Sequence, residues 1–213
     1  MKNCKDHYYD IYGIEEELNK QGYELICGCD EAGRGPMAGP LVAAGCVLPK
    51  GIKIPYLNDS KKVSPKKRDE LFDLIKKVAI SYHIEVVSVS DVDKYDVYHA
   101  SKMAMEKCVK TLNCDYVLTD AMPVDIIKPY QSIIKGDSKS CSIAAASILA
   151  KVTRDRIMEE LDKEYPMYGF IKHKGYVTKL HREMLEKYGV SPVHRKSFAP
   201  VSIEINKGNF LKI

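Results

Sequence analysis
Residues 27–40 read CGCDEAGRGPMAGP. A short apolar run, Leu25-Ile26-Cys27, leads into two adjacent acids, Asp30 and Glu31, and then into Gly33-Arg34-Gly35. Neighbouring residues of a regular strand point to opposite faces. Asp30 and Glu31 therefore serve one site only if the strand ends or bulges near Ala32-Gly33. The glycines permit such a kink and let backbone N–H groups come close to a bound group. Paired hard oxygen ligands beside such a backbone and a guanidinium suggest a metal-assisted site for a phosphodiester. A surface turn after a strand competes with that reading, because acids and glycines are common in turns. The stretch alone leaves both open.

Outward from it, residues 23–30 predict a first strand and residues 41–48 a second, mostly buried one that Pro49-Lys50-Gly51 ends, the pair forming a broad hairpin. Upstream, residues 6–21 place Ile11, Ile14 and Leu18 among acids and stop at Gly22, which predicts a short amphipathic helix with a glycine cap. Downstream, LNDSKKV (residues 57–63) is a polar loop, and Ser64-Pro65 starts a helix that carries Leu71, Leu74, Ile75 and Val78. Ile80, Tyr82, Ile84 and Val86 alternate with more polar positions, as in a half-buried strand, and Ser90 is placed to cap the next helical turn. A helix is expected over residues 97–112 and a short strand, DYVLTD, over 115–120. A further strand is expected over 130–135 and a long helix over 140–163. Ala144-Ala145-Ala146-Ser147 and Ala150 let that helix pack close to a sheet, and Pro166 ends it. A loop rich in Gly, Tyr, His and Lys follows, then a helix near 178–188 and a basic segment through Phe198. Strands alternating with helices indicate an α/β domain, and the hairpin makes its sheet mixed.

A chain of 213 residues, 45% hydrophobic, suits one domain over residues 1–213: an N-terminal helix to 21, a core over about 22–164 and a basic portion over 165–213. The net charge of +4 is unevenly placed, for residues 165–213 hold nine Lys/Arg against three Asp/Glu. A basic end joined to an acid-bearing body fits a polyanion held near a metal site, although a solvated basic tail has the same composition. Seven cysteines, at 4, 27, 29, 46, 108, 114 and 141, form no CxxC pair, and their odd number points to a reducing cytoplasm. Cys27 and Cys29 fall on one face of a strand as small core residues. Residues 1–17 are charged and aromatic rather than signal-like, and the apolar run at 41–48 is too short to cross a bilayer. A soluble, intracellular protein without membrane contact is expected.

The motif CGCDEAGRGPMAGPLVAAGCVL closely resembles the opening block of bacterial ribonuclease HII, the type 2 ribonuclease H family. LNDSKKVSPKKRDELF, KGDSKSCSIAAASILAKVTRDR, YPMYGFIKHKGYVTKLH and HRKSFAP resemble its later blocks in the same order, from about Gly22 to Pro200. The resemblance implies a ribonuclease H-like fold: a central five-stranded mixed sheet flanked by helices, with a helical C-terminal portion. It implies an endonuclease that hydrolyses the RNA strand of RNA–DNA hybrids and cuts 5′ of ribonucleotides embedded in duplex DNA. The expected products are a 3′-hydroxyl and a 5′-phosphate, and the expected form is a monomer.

By residue type alone, Asp120 is an acid at a strand end and Asp137 reads as a helix cap. The resemblance instead groups Asp30, Glu31, Asp120 and Asp137 as a four-carboxylate site for Mg²⁺ or Mn²⁺; Asp155 is left as a structural helix acid. Such hard ligands hold two ions that activate a water and stabilise the leaving oxygen. Telling RNA from DNA requires a sensor of the 2′-hydroxyl. The resemblance assigns that role to Gly33, Arg34 and Gly35, and it makes Tyr176 the ring that packs on the sugar next to the ribonucleotide. The family commonly has glycine or proline after this tyrosine, where this chain has Val177. Lys61, Lys62, Lys139, Lys172, Lys174, Arg195 and Lys196 are candidate phosphate contacts. Ser147 is expected to pack, and His173, His181 and His194 to lie at the surface or on the phosphate side.

Competing readings are a non-catalytic nucleic-acid-binding module on the same fold and a metal-dependent phosphatase of small esters. The sister type HIII carries an N-terminal domain for which the residues before Asp30 leave no room, and its motif lacks GRG. A P-loop fails because no Lys-Ser/Thr follows residues 33–39.

Overall fold
The computed structural model describes residues 8–212; Cys4 and the first residues of the expected N-terminal helix lie outside them. Five strands, β1 Ile26–Ala32, β2 Leu41–Val47, β3 Ser81–Val87, β4 Tyr116–Asp120 and β5 Tyr130–Ile133, form one mixed sheet in the order β3-β2-β1-β4-β5. β1 is its central strand and runs parallel to β4, which runs parallel to β5. Helices α1 Gly13–Lys20, α2 Pro65–Val78, α3 Val89–Thr111 and α4 Cys141–Glu164 intersperse the strands. Three shorter ones, α5 Phe170–His173, α6 Lys179–Tyr188 and α7 Ala199–Asn206, make the C-terminal portion helical.

The described chain groups into two compact units that are discontinuous in sequence. The first is drawn from residues up to 31, 43–85 and 102–152; the second from 32–42, 86–101 and 153 onward. In the first, Leu18 of α1, Ile26, Leu118, Ile133 and Ile143 form one apolar cluster between the sheet and its helices. A Cβ on Gly28 would lie 2.1 Å from the Ser142 carbonyl carbon, so α4 lies backbone to backbone on β1 and needs small residues at the contact. Cys27 and Cys29 share a buried face of β1 with their sulfurs 3.7 Å apart, and the six described cysteines are free and buried. In the second unit, Met37, Leu185, Val190 and Val201 form one cluster and Ala38, Met158, Tyr168 and Phe170 another.

Three local expectations change. α1 begins only at Gly13; among residues 8–12 Tyr12 is instead tied down by its hydroxyl, which donates to the Ile54 carbonyl and accepts the Ile54 N–H. The cap after β3 is Ser88, whose Oγ accepts the Asp91 N–H at 3.1 Å, rather than Ser90. α3 breaks at Asp96 (φ 61°), whose carboxylate accepts the Tyr98 and His99 N–H groups, so a new helical start stands where the sequence predicts one, at Val97. β3 is half-buried, but of the four alternating apolar residues only Ile84 is turned partly inward. Ile80, Tyr82 and Val86 are 54%, 36% and 47% exposed, while Ser81, His83 and Glu85 are turned partly inward. As the last strand of the sheet it has one neighbouring strand, and Glu85 reaches Lys107 at 2.8 Å.

Candidate active site
The parallel register pairs Cys29 with Thr119, so the next residue of each strand is an acid, Asp30 on β1 and Asp120 on β4. Paired positions of adjacent strands point the same way, which brings both carboxylates to one rim of the sheet. β5 ends at Ile133, and left-handed Lys135 (φ 57°) turns the chain into a single 3-10 turn, Gly136–Ser138, that carries Asp137. Asp120 Oδ1 accepts the Gly136 N–H at 2.7 Å, fixing this turn to the end of β4. Asp30, Asp120 and Asp137 thereby converge, with one oxygen of each lying within 4.8 Å of the others.

Asp137 is not the helix cap that its position suggests. Ser140 Oγ accepts the Ile143 N–H, and Glu15 Oε1 accepts the Ser142 N–H at 2.9 Å, so α4 is capped without it.

Burial holds the Asp30 carboxyl well above its ordinary range, helped by the charges of Glu31 and Asp120. Burial likewise pushes Asp137 up to about 6, with Asp120 and Asp59 adding to it and Lys61 opposing. Clustered oxygen ligands that resist ionisation for lack of countercharge fit a hard divalent cation.

Glu31 lies outside the tight trio. β1 stays extended through Ala32, and the turn comes at Gly33 (φ 104°). Its charge still reaches Asp30.

Two neighbours of the trio were not anticipated. Ser147 Oγ is 3.0 Å from Ser60 Oγ and hydrogen-bonds Asp30, so it supports a carboxylate as well as packing. Asp59, which accepts the Lys61 N–H at 2.9 Å, faces Asp137. Asp59, Lys61 and Lys62 line a cleft of about 440 Å³ together with Asp120, Lys135 and Asp137, which puts both lysines of the polar loop beside the carboxylates. Asp59 and Ser60 belong to a motif whose lysines draw attention first. Asp155 is absent from the carboxylate group.

The second unit gathers the segment after the acids. A Cβ on Gly33 would lie 2.3 Å from Arg154 Nε, so glycine is required there by packing as well as by its positive φ. Arg154 is 1% exposed and donates to the carbonyls of Pro40, Ala38 and Lys174. One built on Gly35 would lie 3.3 Å from Tyr176 Cε1, so GRG and Tyr176 come together; Arg34 and the Tyr176 ring are exposed. Val177 packs against the Met37 cluster, which accounts for an apolar side chain at this position.

Among the expected phosphate contacts, Lys139, Lys172 and Lys196 are exposed. Arg195 is not placed for that role. It is 0% exposed and donates to the Gly39 carbonyl at 2.9 Å and weakly to that of Arg34 at 3.4 Å, making it a strut under the loop. Lys174 Nζ is held by Glu159 at 2.8 Å, which neutralises the charge a phosphate would need. His173, His181 and His194 are buried, against the expectation of a surface position, because backbone carbonyls and each other satisfy their nitrogens.

Comparison with known proteins agrees with this geometry. The family model for ribonuclease HII matches residues 27–201. The ribonuclease HII of Geobacillus thermodenitrificans is 48% identical over 202 residues, 94% of this chain and 78% of that protein. That of Enterococcus faecalis is 50% identical over 196 residues, covering 91% and 77%. The crystal structure of the ribonuclease H2 from Pyrococcus horikoshii matches with a TM-score of 0.75 at 25% identity, over 86% of this chain and 98% of that one. A five-stranded mixed sheet flanked by helices, a carboxylate trio at its rim and a family match over most of the sequence lead to one assignment: the chain belongs to the ribonuclease HII family and is a ribonuclease H.

Proposed function
We propose that this endonuclease hydrolyses the RNA strand of RNA–DNA hybrids and cuts on the 5′ side of ribonucleotides embedded in duplex DNA, leaving 3′-hydroxyl and 5′-phosphate ends. The observation that carries the reading is the convergence of Asp30, Asp120 and Asp137 from three separate segments. Asp30, Glu31, Asp120 and Asp137 would hold Mg²⁺ or Mn²⁺, two ions in this reading. When bound, such ions supply Lewis-acid activation of water and stabilisation of the leaving oxygen.

The chain's own residues do the rest. Ser147 and the Glu31 N–H orient the Asp30 carboxylate, and the Gly136 N–H orients that of Asp120, so the ligands are set before substrate arrives. Lys61 and Lys62 offer charge to the phosphates beside the cut, and Lys139, Lys172 and Lys196 are further phosphate contacts. Gly33, Arg34 and Gly35 sense the 2′-hydroxyl, and Tyr176 packs on the adjoining sugar, with ring area rather than proton transfer as its contribution.

A binding module without catalysis would have no use for clustered, mutually repelling carboxylates. No helix among the described residues is long and apolar enough to cross a membrane. Free, buried thiols suit a reducing compartment, so we place the enzyme in the cytoplasm, acting as a monomer. The decisive assay incubates the protein with duplex DNA carrying one ribonucleotide, in Mg²⁺, Mn²⁺ or chelator, and maps the cut. Cleavage 5′ of the ribonucleotide that chelator abolishes is expected; metal-independent cleavage, or none with either ion, refutes the reading.

A further inference from the structure
Three buried histidines, His173, His181 and His194, have no part in the proposed chemistry, yet their contacts run beneath Tyr176. His181 Nδ1 lies 2.9 Å from the Tyr176 carbonyl oxygen, and a carbonyl can only accept. Nδ1 therefore carries the proton, which leaves His181 Nε2 an acceptor. His194 Nε2, 3.1 Å away, must then be the donor. That leaves His194 Nδ1 an acceptor, and two donors meet it: the Ser191 N–H at 3.1 Å and the Ser191 hydroxyl at 2.7 Å. His173 is assigned independently, its Nε2 donating to the Tyr168 carbonyl at 3.0 Å and its Nδ1 accepting the Gly175 N–H at 3.2 Å. Every ring nitrogen has one role, so no lone pair remains for an ion. A proton added to any ring would turn an acceptor toward a donor.

The run ends on the backbone that carries the tyrosine. Tyr176 N–H donates to the His173 carbonyl at 2.9 Å, and the Tyr176 carbonyl also accepts the Thr178 N–H at 2.9 Å. The two preceding residues, Lys174 (φ 49°) and Gly175 (φ 84°), are both left-handed. Lysine does not hold that conformation unaided. The surroundings hold it: Arg154 Nη1 donates to the Lys174 carbonyl, Met37 N–H donates to that of Gly175, and the His173 and His181 rings stack with centroids 4.3 Å apart. The Tyr176 ring is 44% exposed, so its backbone sets its aim.

We propose that Ser191, His194 and His181 form a one-directional hydrogen-bonded relay that, with His173, aims Tyr176 at its substrate. They are positioning residues for discrimination between an RNA–DNA junction and continuous RNA. The proposal rests on the reading of Tyr176 as the ring that packs on the substrate sugar. Titratable and charged groups around the relay include Tyr168, which meets the His194 ring edge-on, Asp162, whose charge acts on His173, and Arg154 and Arg195, which lie near enough to interact with Tyr176.

Two measurements test it. The first needs no activity: long-range ¹H–¹⁵N correlation of ¹⁵N-histidine-labelled protein at pH 7. His181 should be the Nδ1–H tautomer and His173 and His194 the Nε2–H tautomers, all neutral. Nε2–H on His181, or a charged ring among the three, overturns the relay.

The second is the ratio of cleavage rates on single-ribonucleotide duplex and uniform hybrid. His181→Leu keeps bulk but loses the donor, and the ratio should fall roughly fivefold, the worth of one net hydrogen bond. His181→Asn, whose amide can still donate to the Tyr176 carbonyl, should restore most of it. In a Tyr176→Ala background, His181→Leu should change the ratio no further. If Tyr176→Ala shifts the ratio while folded His181→Leu does not, the relay is wrong and the reading of Tyr176 stands. If Tyr176→Ala itself leaves the ratio unchanged, that reading fails, whatever the tautomers show.

Discussion
Asp30 and Asp137 combine burial with proximity to other acids, and each is useful only when ionised. Asp30→Asn or Asp137→Asn removes a ligand charge and should cut turnover by at least about a hundredfold, roughly 3 kcal/mol of transition-state stabilisation, while substrate binding survives. Glu31→Gln should cost less than either, because Glu31 stands outside the trio. Steady-state rates at fixed, low Mn²⁺ would rank the three, and a Glu31→Gln loss matching that of Asp30→Asn would show that Glu31 holds the ions as closely as Asp30 does. At Tyr176 the relevant property is ring area. Tyr176→Phe should keep the preference for a junction over continuous RNA, and Tyr176→Ala should lose it, as read from the two cleavage rates. Val177→Gly should lower stability by about 1 kcal/mol in urea titration, since it strips an apolar side chain from the Met37 cluster.

β1 and α4 stand or fall together as elements. α4 brings Ser147 to Asp30 and follows the turn that carries Asp137, and it lies on β1 through Gly28. Gly28→Ala would press a methyl into the Ser142 backbone, where no side chain can swing aside. Overpacking of this kind costs about 1–3 kcal/mol or more. Thermal melting should show the loss, and the remaining folded enzyme should be impaired as well, because a shifted α4 carries Ser147 and Asp137 with it. An unaltered melting temperature would mean that α4 retreats freely. The β3 alternation shows how an element can mislead: Ile80, Tyr82 and Val86 have the spacing of a buried face, but only tertiary packing decides which face of a strand is covered.

Charge acts on the molecule as a whole. Substrate affinity should fall steeply with salt, and the Lys61→Ala, Lys62→Ala and Lys172→Ala triple variant should flatten the log–log slope by roughly 0.9 for each phosphate contact removed. Lys174→Ala should leave the slope unchanged, because Glu159 already holds that ammonium.

The histidines govern stability toward acid. Burial lowers His181 to about 4 and His194 to about 3, and lowers His173 as well. Below about pH 6.5 the unfolded chain takes up protons that the folded one refuses, so their contribution shrinks as pH falls, by about 1.4 kcal/mol per unit for each proton. Asp30 and Asp137 act in the opposite sense, since the folded state keeps protons there that the unfolded chain has released. Urea midpoints at pH 7 and pH 5 for wild type and for His181→Asn/His194→Gln isolate the histidine part. The double variant should show the smaller acid-induced drop, and equal drops would mean that these rings titrate as if exposed.

What the sequence determined by itself is local or serial. Alternating strand and helix periods gave the α/β class. The order of motifs named the family and, through that resemblance, grouped Asp120 and Asp137 with the adjacent acids Asp30 and Glu31. Those signals survive because period, cap and motif are written in neighbouring residues. What only the tertiary structure decided is which polar groups are inside. Arg195, His173, His181 and His194 read as surface charge, since a basic residue in a sequence is by default solvated. Arg195 is instead buried against the carbonyl of Gly39, 156 residues away in the chain, and Arg154 against that of Pro40, 114 away. The same holds for Ser147, which only the fold buries beside Asp30. A polar side chain can be buried only where distant segments bring the partners that satisfy it, and no stretch of sequence carries its partners' positions.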